Sequence, residues 1–254
     1  MKIDAVIAVK NEAFKLGYCC KELRKKVPIS NLIIVVGKSE DKTLETANKY
    51  ADILIEENNK GLGYARNQGL KEVKTEYYAS IDSDVILSKE WYYWCKNTIK
   101  KPSVAACEGY PKPQGTYYSR FQYLGRKTYC SLGNTMLKTN VIREVGIPLG
   151  GWGEDHVLKE RLEAKGYEWI VSFDLISQHL VTDLEMLRHI VNFNVWVGKN
   201  QKISYFNLTK NTCWSLKDFA DQATNLGLNQ STYILLYRLA INLGLLQGNL
   251  NRNG

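Results

Sequence analysis

The first hundred residues alternate between short apolar runs and amphipathic segments, and this rhythm is the strongest constraint on the fold. Residues 3–9, 31–37, 52–57 and 76–82 have the composition of buried strands, and helices are predicted between them. Short apolar strands that alternate with helices indicate a parallel sheet covered on both faces. We therefore expect an α/β fold with a mostly parallel central sheet flanked by helices.

The pattern is less regular after residue 100. Further strands are predicted at 103–110, 132–138 and 167–173. Residues 111–130 are rich in Gly, Pro and Tyr, which predicts a mobile loop. From residue 182 onward the sequence predicts helices, and the first begins with a capping box at 182–185. We expect one domain over 1–180 and a helical C-terminal extension over 181–254.

Composition narrows the classes of protein to consider. The chain has 254 residues, 44% of them hydrophobic, which is enough for one sizeable α/β domain. A formal net charge of +8 favours an anionic partner. The six cysteines show no zinc-binding spacing, so we expect free thiols in a reducing cytosol. Neither a signal peptide nor a transmembrane run is predicted.

Two carboxylates, Asp82 and Asp84, follow the fourth predicted strand. In α/β sheets, ligands bind at the carboxyl ends of strands, and side chains at i and i+2 of an extended segment point the same way. We expect these carboxylates to converge and to attract a divalent cation with oxygen ligands, Mg²⁺ or Mn²⁺. The alternative is a solvated turn, because short motifs of this kind often occur by chance.

Three other features bear on that choice. Arg66 lies near the start of a helix after the Gly-rich segment 59–70, where it could face a diphosphate. Glu154 and Asp155 open a helix. Trp152, just before them, offers a face on which a sugar could stack, and His179 follows the last predicted strand. Each feature also has a plainer structural interpretation: a surface helix, an acidic first turn, or a structural histidine.

Taken in order, these segments resemble a known family. The sequences AVIAVKNEA, LIIVVGKSEDKT, GLGYARNQGL, IDSDVIL, LGNTMLKT, GGWGEDHVLKERLEAKGY and ISQH are similar in order and spacing to family 2 glycosyltransferases of the GT-A fold. The resemblance covers residues 3–180, about seven-tenths of the chain. It implies a metal-dependent, inverting enzyme that moves a sugar from a nucleotide-diphosphate donor to an acceptor hydroxyl.

The resemblance also implies roles for individual residues. Asp155 is the expected general base, with Glu154 beside it, and Trp152 is expected on the acceptor side. Asp82, Asp84 and His179 are expected to bind Mn²⁺ or Mg²⁺. The donor-binding residues implied are Lys10, Glu12, Lys38, Asp41, Arg66 and Asp82. Residues 1–180 would then be the GT-A catalytic domain.

The sequence departs from the family after the second strand, where Gly37 and Lys38 replace the usual aspartates and Asp41 comes late. The nucleotide is therefore not specified. A non-catalytic nucleotide-sugar-binding protein and a sugar-nucleotide pyrophosphorylase stay as alternatives, while no nucleic-acid-binding signature is found.

We expect a glycan or lipid-linked acceptor and a cytoplasmic protein. Packing of segment 231–248 on a neighbouring helix is favoured over peripheral contact with an anionic inner-membrane surface.

Overall fold

A computed structural model describes residues 1–58, 60–113, 130–149, 153–200 and 228–252. The strands are β1 (Ile3–Val9), β2 (Ile29–Gly37), β3 (Ile53–Glu57), β4 (Tyr77–Ile81), β5 (Val85–Ile86), β6 (Val104–Pro113), β7 (Asn134–Lys138) and β8 (Glu168–His179). The helices are α1 (Ala13–Lys26), α2 (Thr43–Tyr50), α3 (Leu62–Glu72), α4 (Trp91–Thr98), α5 (Thr139–Val145), α6 (Glu154–Ala164), α7 (Asp183–Asn200) and α8 (Leu228–Arg252).

The eight strands form one sheet in the order β3-β2-β1-β4-β7-β6-β8-β5. The half made of β3, β2, β1 and β4 is parallel, as the alternating sequence pattern predicts. In the other half β7 runs antiparallel to β4 and β6, and β5 runs antiparallel to β8, whereas β6 and β8 are parallel. The sheet is therefore mixed, and its antiparallel pairs lie where the sequence rhythm is less regular.

Side-chain alternation in the strands builds a core on each face of the sheet. In β1, Ile3, Ala5 and Ile7 join the core under α1, α2 and α4, while Val6 joins the opposite core under α3, α5 and α6. This is the period of two expected of a strand with both faces covered. Gly69 lets α3 approach closely, because a Cβ atom there would lie 2.4 Å from Cγ1 of Val6.

The described residues divide into two compact units, one ending at Leu180 and the other beginning at Val181. In the second unit, the predicted capping box opens α7: the Glu185 amide donates to Thr182 Oγ1 (3.2 Å), and the Thr182 amide donates to Glu185 Oε2 (2.7 Å). The assignment of these units as a catalytic domain and its extension stays a prediction.

Helices α7 and α8 pack with their backbones in near contact. A Cβ atom on Gly248 would lie 2.1 Å from the carbonyl oxygen of Val195, and one on Gly244 would lie 2.4 Å from that of Val191. Only glycine permits this approach, so segment 231–248 packs on α7. No helix among the described residues combines the length and the apolarity needed to cross a bilayer.

Of the mobile loop predicted at 111–130, residues 111–113 instead extend strand β6, and Cys130 is buried just before β7. Residues 114–129 lie outside the described part of the chain. The five cysteines in the described residues are free thiols, as the sequence predicts.

Candidate active site

Asp82 and Asp84 lie in a tight turn, not in an extended segment. The Val85 amide donates to the Asp82 carbonyl oxygen (3.1 Å), which closes the turn. We expected both side chains to point the same way because they would lie at i and i+2 of a strand. That argument does not apply, because neither residue is in a strand. The strand ends at Ile81, and the chain reverses so that β5 can pair with β8.

Asp82 is fixed by its neighbours on two sides. Its amide donates to the Gly133 carbonyl oxygen (3.0 Å), and its carboxylate lies directly over Gly133, where a Cβ atom would come within 2.0 Å of Oδ2. On the other side, Oδ1 accepts a hydrogen bond from Arg66 Nη2 at 2.7 Å. The carboxylate therefore has little freedom to turn.

Arg66 joins the two acidic motifs. It is buried in α3, and while Nη2 binds Asp82, Nη1 forms a short ion pair with Glu154 at the start of α6. Burial lowers the pKa of this guanidinium, but Asp82 and Glu154 outweigh burial and raise it on balance, so Arg66 stays charged. A buried charge is tolerated when paired in this way.

Asp84 and His179 meet because β5 pairs with β8. Val85 lies opposite His179 in the register, and the Leu180 amide donates to the Asp84 carbonyl oxygen (2.8 Å). His179 Nε2 lies 3.3 Å from Asp84 Oδ2. The structure thus brings these two predicted metal ligands together. Within the described residues, however, Asp82 does not complete a set of three ligand atoms that all lie within 4.8 Å of one another.

Glu12 adds a third carboxylate to this edge. It follows β1, and its Oε2 accepts a hydrogen bond from the Ser83 hydroxyl at 2.6 Å. Burial raises the pKa of Glu12, and the nearby charges of Asp84 and Asp82 raise it further. Lys15, 3.6 Å from Glu12, and Arg66, paired with Asp82, offset part of the negative charge that these three acids bring to the edge. Carboxylates this close together still favour a cation.

Asp155 lies in the first turn of α6, next to Glu154. Gly153 precedes the helix with φ of 72°, a left-handed conformation that favours glycine, and so sets the direction in which the helix begins. Burial raises the pKa of Asp155 above that of an ordinary aspartate. Trp152, predicted on the acceptor side, lies outside the described residues.

A cavity of about 270 Å³ opens at the carboxyl ends of β1, β2 and β3. Lys10 lines it, as do Gly37, Glu57 and Gly61. Gly61 adopts φ of 106°, a conformation that side chains disfavour, and so lets α3 begin against the cavity. The sequence did not point to Glu57 as a residue of this cavity, because a single acidic residue at the end of a strand belongs to no recognisable motif.

Two other predicted donor-binding residues are not among the residues that line this cavity. Lys38 is exposed directly after Gly37. The Asp41 carboxylate accepts hydrogen bonds from the amides of Ala13 (3.1 Å) and Thr43 (2.9 Å), so it ties together the starts of α1 and α2. Their roles toward a donor stay predictions.

The arrangement predicts that Arg66 carries much of the stability of this site. Arg66→Ala leaves two carboxylates without their buried partner, and we expect it to lower the free energy of unfolding by about 3–5 kcal/mol. The matched change Arg24→Ala removes a half-exposed pair with Asp52, worth about 0–1 kcal/mol. Urea unfolding followed by circular dichroism compares them, and equal losses would contradict the bridging role.

Comparison with known proteins identifies the family of this chain. Residues 4–148 match Glycosyl transferase family 2. The chain is 25% identical over 203 residues to glycosyltransferase AglE of Haloferax volcanii, an alignment covering 70% of this chain and 66% of that relative's length, just under two thirds.

Two solved structures have similar folds. Mannosyltransferase PcManGT from Pyrobaculum calidifontis, in complex with GDP-Man and Mn²⁺, superposes with a TM-score of 0.68 at 15% identity, covering 97% of this chain and 88% of that one. Glucosyl-3-phosphoglycerate synthase from Mycobacterium tuberculosis, with Mn²⁺ and UDP, gives a TM-score of 0.54 at 16% identity, covering 74% and 75%. The expected GT-A fold is confirmed. With the family match extending over more than half of its residues, the chain belongs to glycosyl transferase family 2, a family of sugar-transferring enzymes.

Proposed function

We propose that this chain is a metal-dependent, inverting glycosyltransferase that uses a nucleotide-diphosphate sugar. The observation that carries the proposal is the Arg66 bridge, which holds the turn of Asp82 and Asp84 against the start of α6, where Asp155 lies. His179 lies 3.3 Å from Asp84 in the same turn. Metal ligands, a partly buried base and a place for a nucleotide are the parts that such a transfer uses.

The cavity at the ends of β1, β2 and β3 has the position expected for a nucleoside in an α/β sheet. Lys10 would meet a phosphate or ribose at its rim, and Glu57 offers a carboxylate to ribose hydroxyls or base amines. Arg66 has both terminal nitrogens in ion pairs, so we propose that it holds Asp82 in place instead of contacting the diphosphate.

The residues present fit a divalent cation. Asp84 and His179 offer a carboxylate oxygen and an imidazole nitrogen 3.3 Å apart, and Glu12 adds negative charge beside them. This mixed set suits Mn²⁺ at least as well as Mg²⁺, which prefers oxygen ligands. When bound, the ion would supply positive charge against the departing diphosphate.

Asp155 would act as the base. Its carboxylate would accept the proton of the acceptor hydroxyl while that oxygen bonds to the sugar's anomeric carbon. The bond to the diphosphate oxygen breaks in the same step, and the diphosphate keeps the electron pair, so the configuration inverts. The raised pKa makes Asp155 a stronger base than an exposed aspartate. Glu154, held by Arg66, would fix the start of α6.

The likeness to structures with GDP-Man and with UDP makes GDP-mannose and UDP-glucose the first donors to test. Hydrolysis of the donor in the presence of Mn²⁺ separates an enzyme from a non-catalytic nucleotide-sugar-binding protein. A pyrophosphorylase would instead release pyrophosphate from a nucleoside triphosphate.

We propose a glycan or a lipid-linked molecule as the acceptor, and peripheral membrane contact through α8. Leu236, Leu243 and Leu250 are 47%, 59% and 55% exposed and recur every seven residues, so they form one apolar stripe. Basic side chains of α1 give little support to this contact, because Arg24 is paired with Asp52, and Lys25 and Lys26 are paired with Glu22.

Asp84→Ala removes the carboxylate next to His179, so we expect it to abolish metal-dependent nucleotide binding. Nucleotide and Mn²⁺ at about 100 times Kd should stabilise the parent by about 2.7 kcal/mol, measured as a thermal shift. The matched control Asp174→Ala changes an exposed aspartate on β8 and should keep the shift. A parent-like shift in Asp84→Ala that EDTA still removes would count against this metal site.

Asp155→Asn keeps the size of the side chain but removes the base. We expect kcat to fall at least about 100-fold with little change in donor affinity, measured by single-turnover transfer. Glu160→Gln, an exposed acid on the same helix, should leave kcat near that of the parent. If Asp155→Asn transfers sugar at the parent rate, the base lies elsewhere.

Leu243→Gln places an amide in the apolar stripe of α8. We expect the partition of the full chain onto anionic liposomes to fall at least about tenfold, because a buried leucine contributes about 1.5–3 kcal/mol. Leu44→Gln, 38% exposed on α2, is the matched change and should leave the partition unaltered. Co-sedimentation measures both, and no binding by the parent at low salt would exclude the contact.

A further inference from the structure

A cluster of three different metal-binding side chains lies at the start of α6 and includes one of its two acidic residues. The sulfur of Cys130, a carboxylate oxygen of Asp155 and an imidazole nitrogen of His156 all lie within 4.8 Å of one another. Cys130 is buried in the turn before β7, while Asp155 and His156 belong to the first turn of α6. The cluster therefore joins two segments that are distant in sequence.

A buried glutamate, Glu108 of β6, lies against the same turn. It has no exposed surface, and its Oε1 accepts hydrogen bonds from the amide of Ser131, the residue after Cys130, and from Trp169 Nε1. Its other oxygen, Oε2, has no hydrogen-bond partner among the described residues. A fully buried carboxyl oxygen without a partner is costly unless a proton or a cation compensates it.

The set of atoms selects the kind of cation. Thiolate, imidazole and carboxylate are the ligands of Zn²⁺, at about 2.0–2.3 Å from the ion. Mg²⁺ prefers oxygen ligands alone, and thiolate favours softer metals over Mn²⁺. Two ligands of a tetrahedral ion lie about 3.3–3.8 Å apart at those bond lengths. Atoms already within 4.8 Å need to move by only about 1 Å.

We propose that Cys130, Asp155 and His156, with Glu108 beside them, form a second cation site that binds Zn²⁺ and inhibits sugar transfer. Binding releases the thiol proton, because the thiolate is the ligand. Inhibition follows because a carboxylate of Asp155 that ligates zinc cannot accept the proton of an acceptor hydroxyl. The inhibition of sugar transfer rests on the proposed function, whereas the binding of Zn²⁺ does not.

Co²⁺ tests the binding directly, because it replaces Zn²⁺ and gives a sulfur-to-cobalt charge-transfer band in the near ultraviolet. We expect the full chain to show this band with Co²⁺ alone. Asp84→Ala, which lacks the donor metal ligand, should keep the band, and so should Cys20→Ala, which removes a buried thiol of α1. Cys130→Ala should lose it. A parent without the band, or Cys130→Ala with it, would overturn the site.

His156→Ala provides a second variant that keeps the thiol, in case Cys130→Ala does not fold. We expect it to weaken cobalt binding at least about tenfold, and undiminished binding would overturn the ligand set. Circular dichroism melting checks that each variant is folded.

Zinc titration of the transfer reaction tests the inhibition, with each variant normalised to its own rate without Zn²⁺. We expect strong inhibition of the parent and of Cys20→Ala, but not of Cys130→Ala. Equal inhibition of the parent and Cys130→Ala would overturn the inhibitory role. The cobalt band needs no turnover, so its absence would count against this site alone. Transfer that survives in Asp155→Asn would count against the proposed base instead.

Discussion

One buried guanidinium, that of Arg66, lies between carboxylates from two distant segments, Asp82 after β4 and Glu154 at the start of α6. Taking a charge out of water is expensive, and the two anions compensate for it only in this arrangement. The ion pairs therefore fix α3, the turn after β4 and α6 relative to one another. The bridge thereby also positions Asp84, which is in the same turn as Asp82, and Asp155, which follows Glu154 on α6.

The mixed sheet explains how residues from distant segments of the chain meet at one edge. In the parallel half, β1 to β3 end side by side and leave the cavity at their carboxyl ends. In the other half, β7 runs the opposite way, so the turn that precedes it meets the end of β4. Gly133 and Cys130 reach the site because of that reversal, whereas a wholly parallel sheet would place them at the far edge.

Much of this could be predicted from the sequence. The hydrophobic periodicity located β1 to β4 and their helices. Because ligands bind at the carboxyl ends of strands in α/β sheets, the sequence also placed Asp84 at the edge that carries the candidate site. The features that the sequence did not predict depend on contacts between residues that are far apart in the chain. Strand β5 has only two residues, the partners of Arg66 are 16 and 88 positions away, and Cys130 meets Asp155 across 25 residues. Pairings of that kind are set by tertiary packing, which spacing rules do not encode.

The contact between Asp82 and Gly133 has a consequence for how this chain can vary. A side chain at position 133 and the carboxylate at position 82 would occupy the same volume, so any residue larger than glycine at 133 must displace it. Displacement breaks the pair with Arg66, which leaves a buried cation short of one partner. Which residues position 133 can accept therefore depends on the residue at position 82. In a lineage descended from this chain, position 133 would open to other residues only after the aspartate at 82 had been replaced.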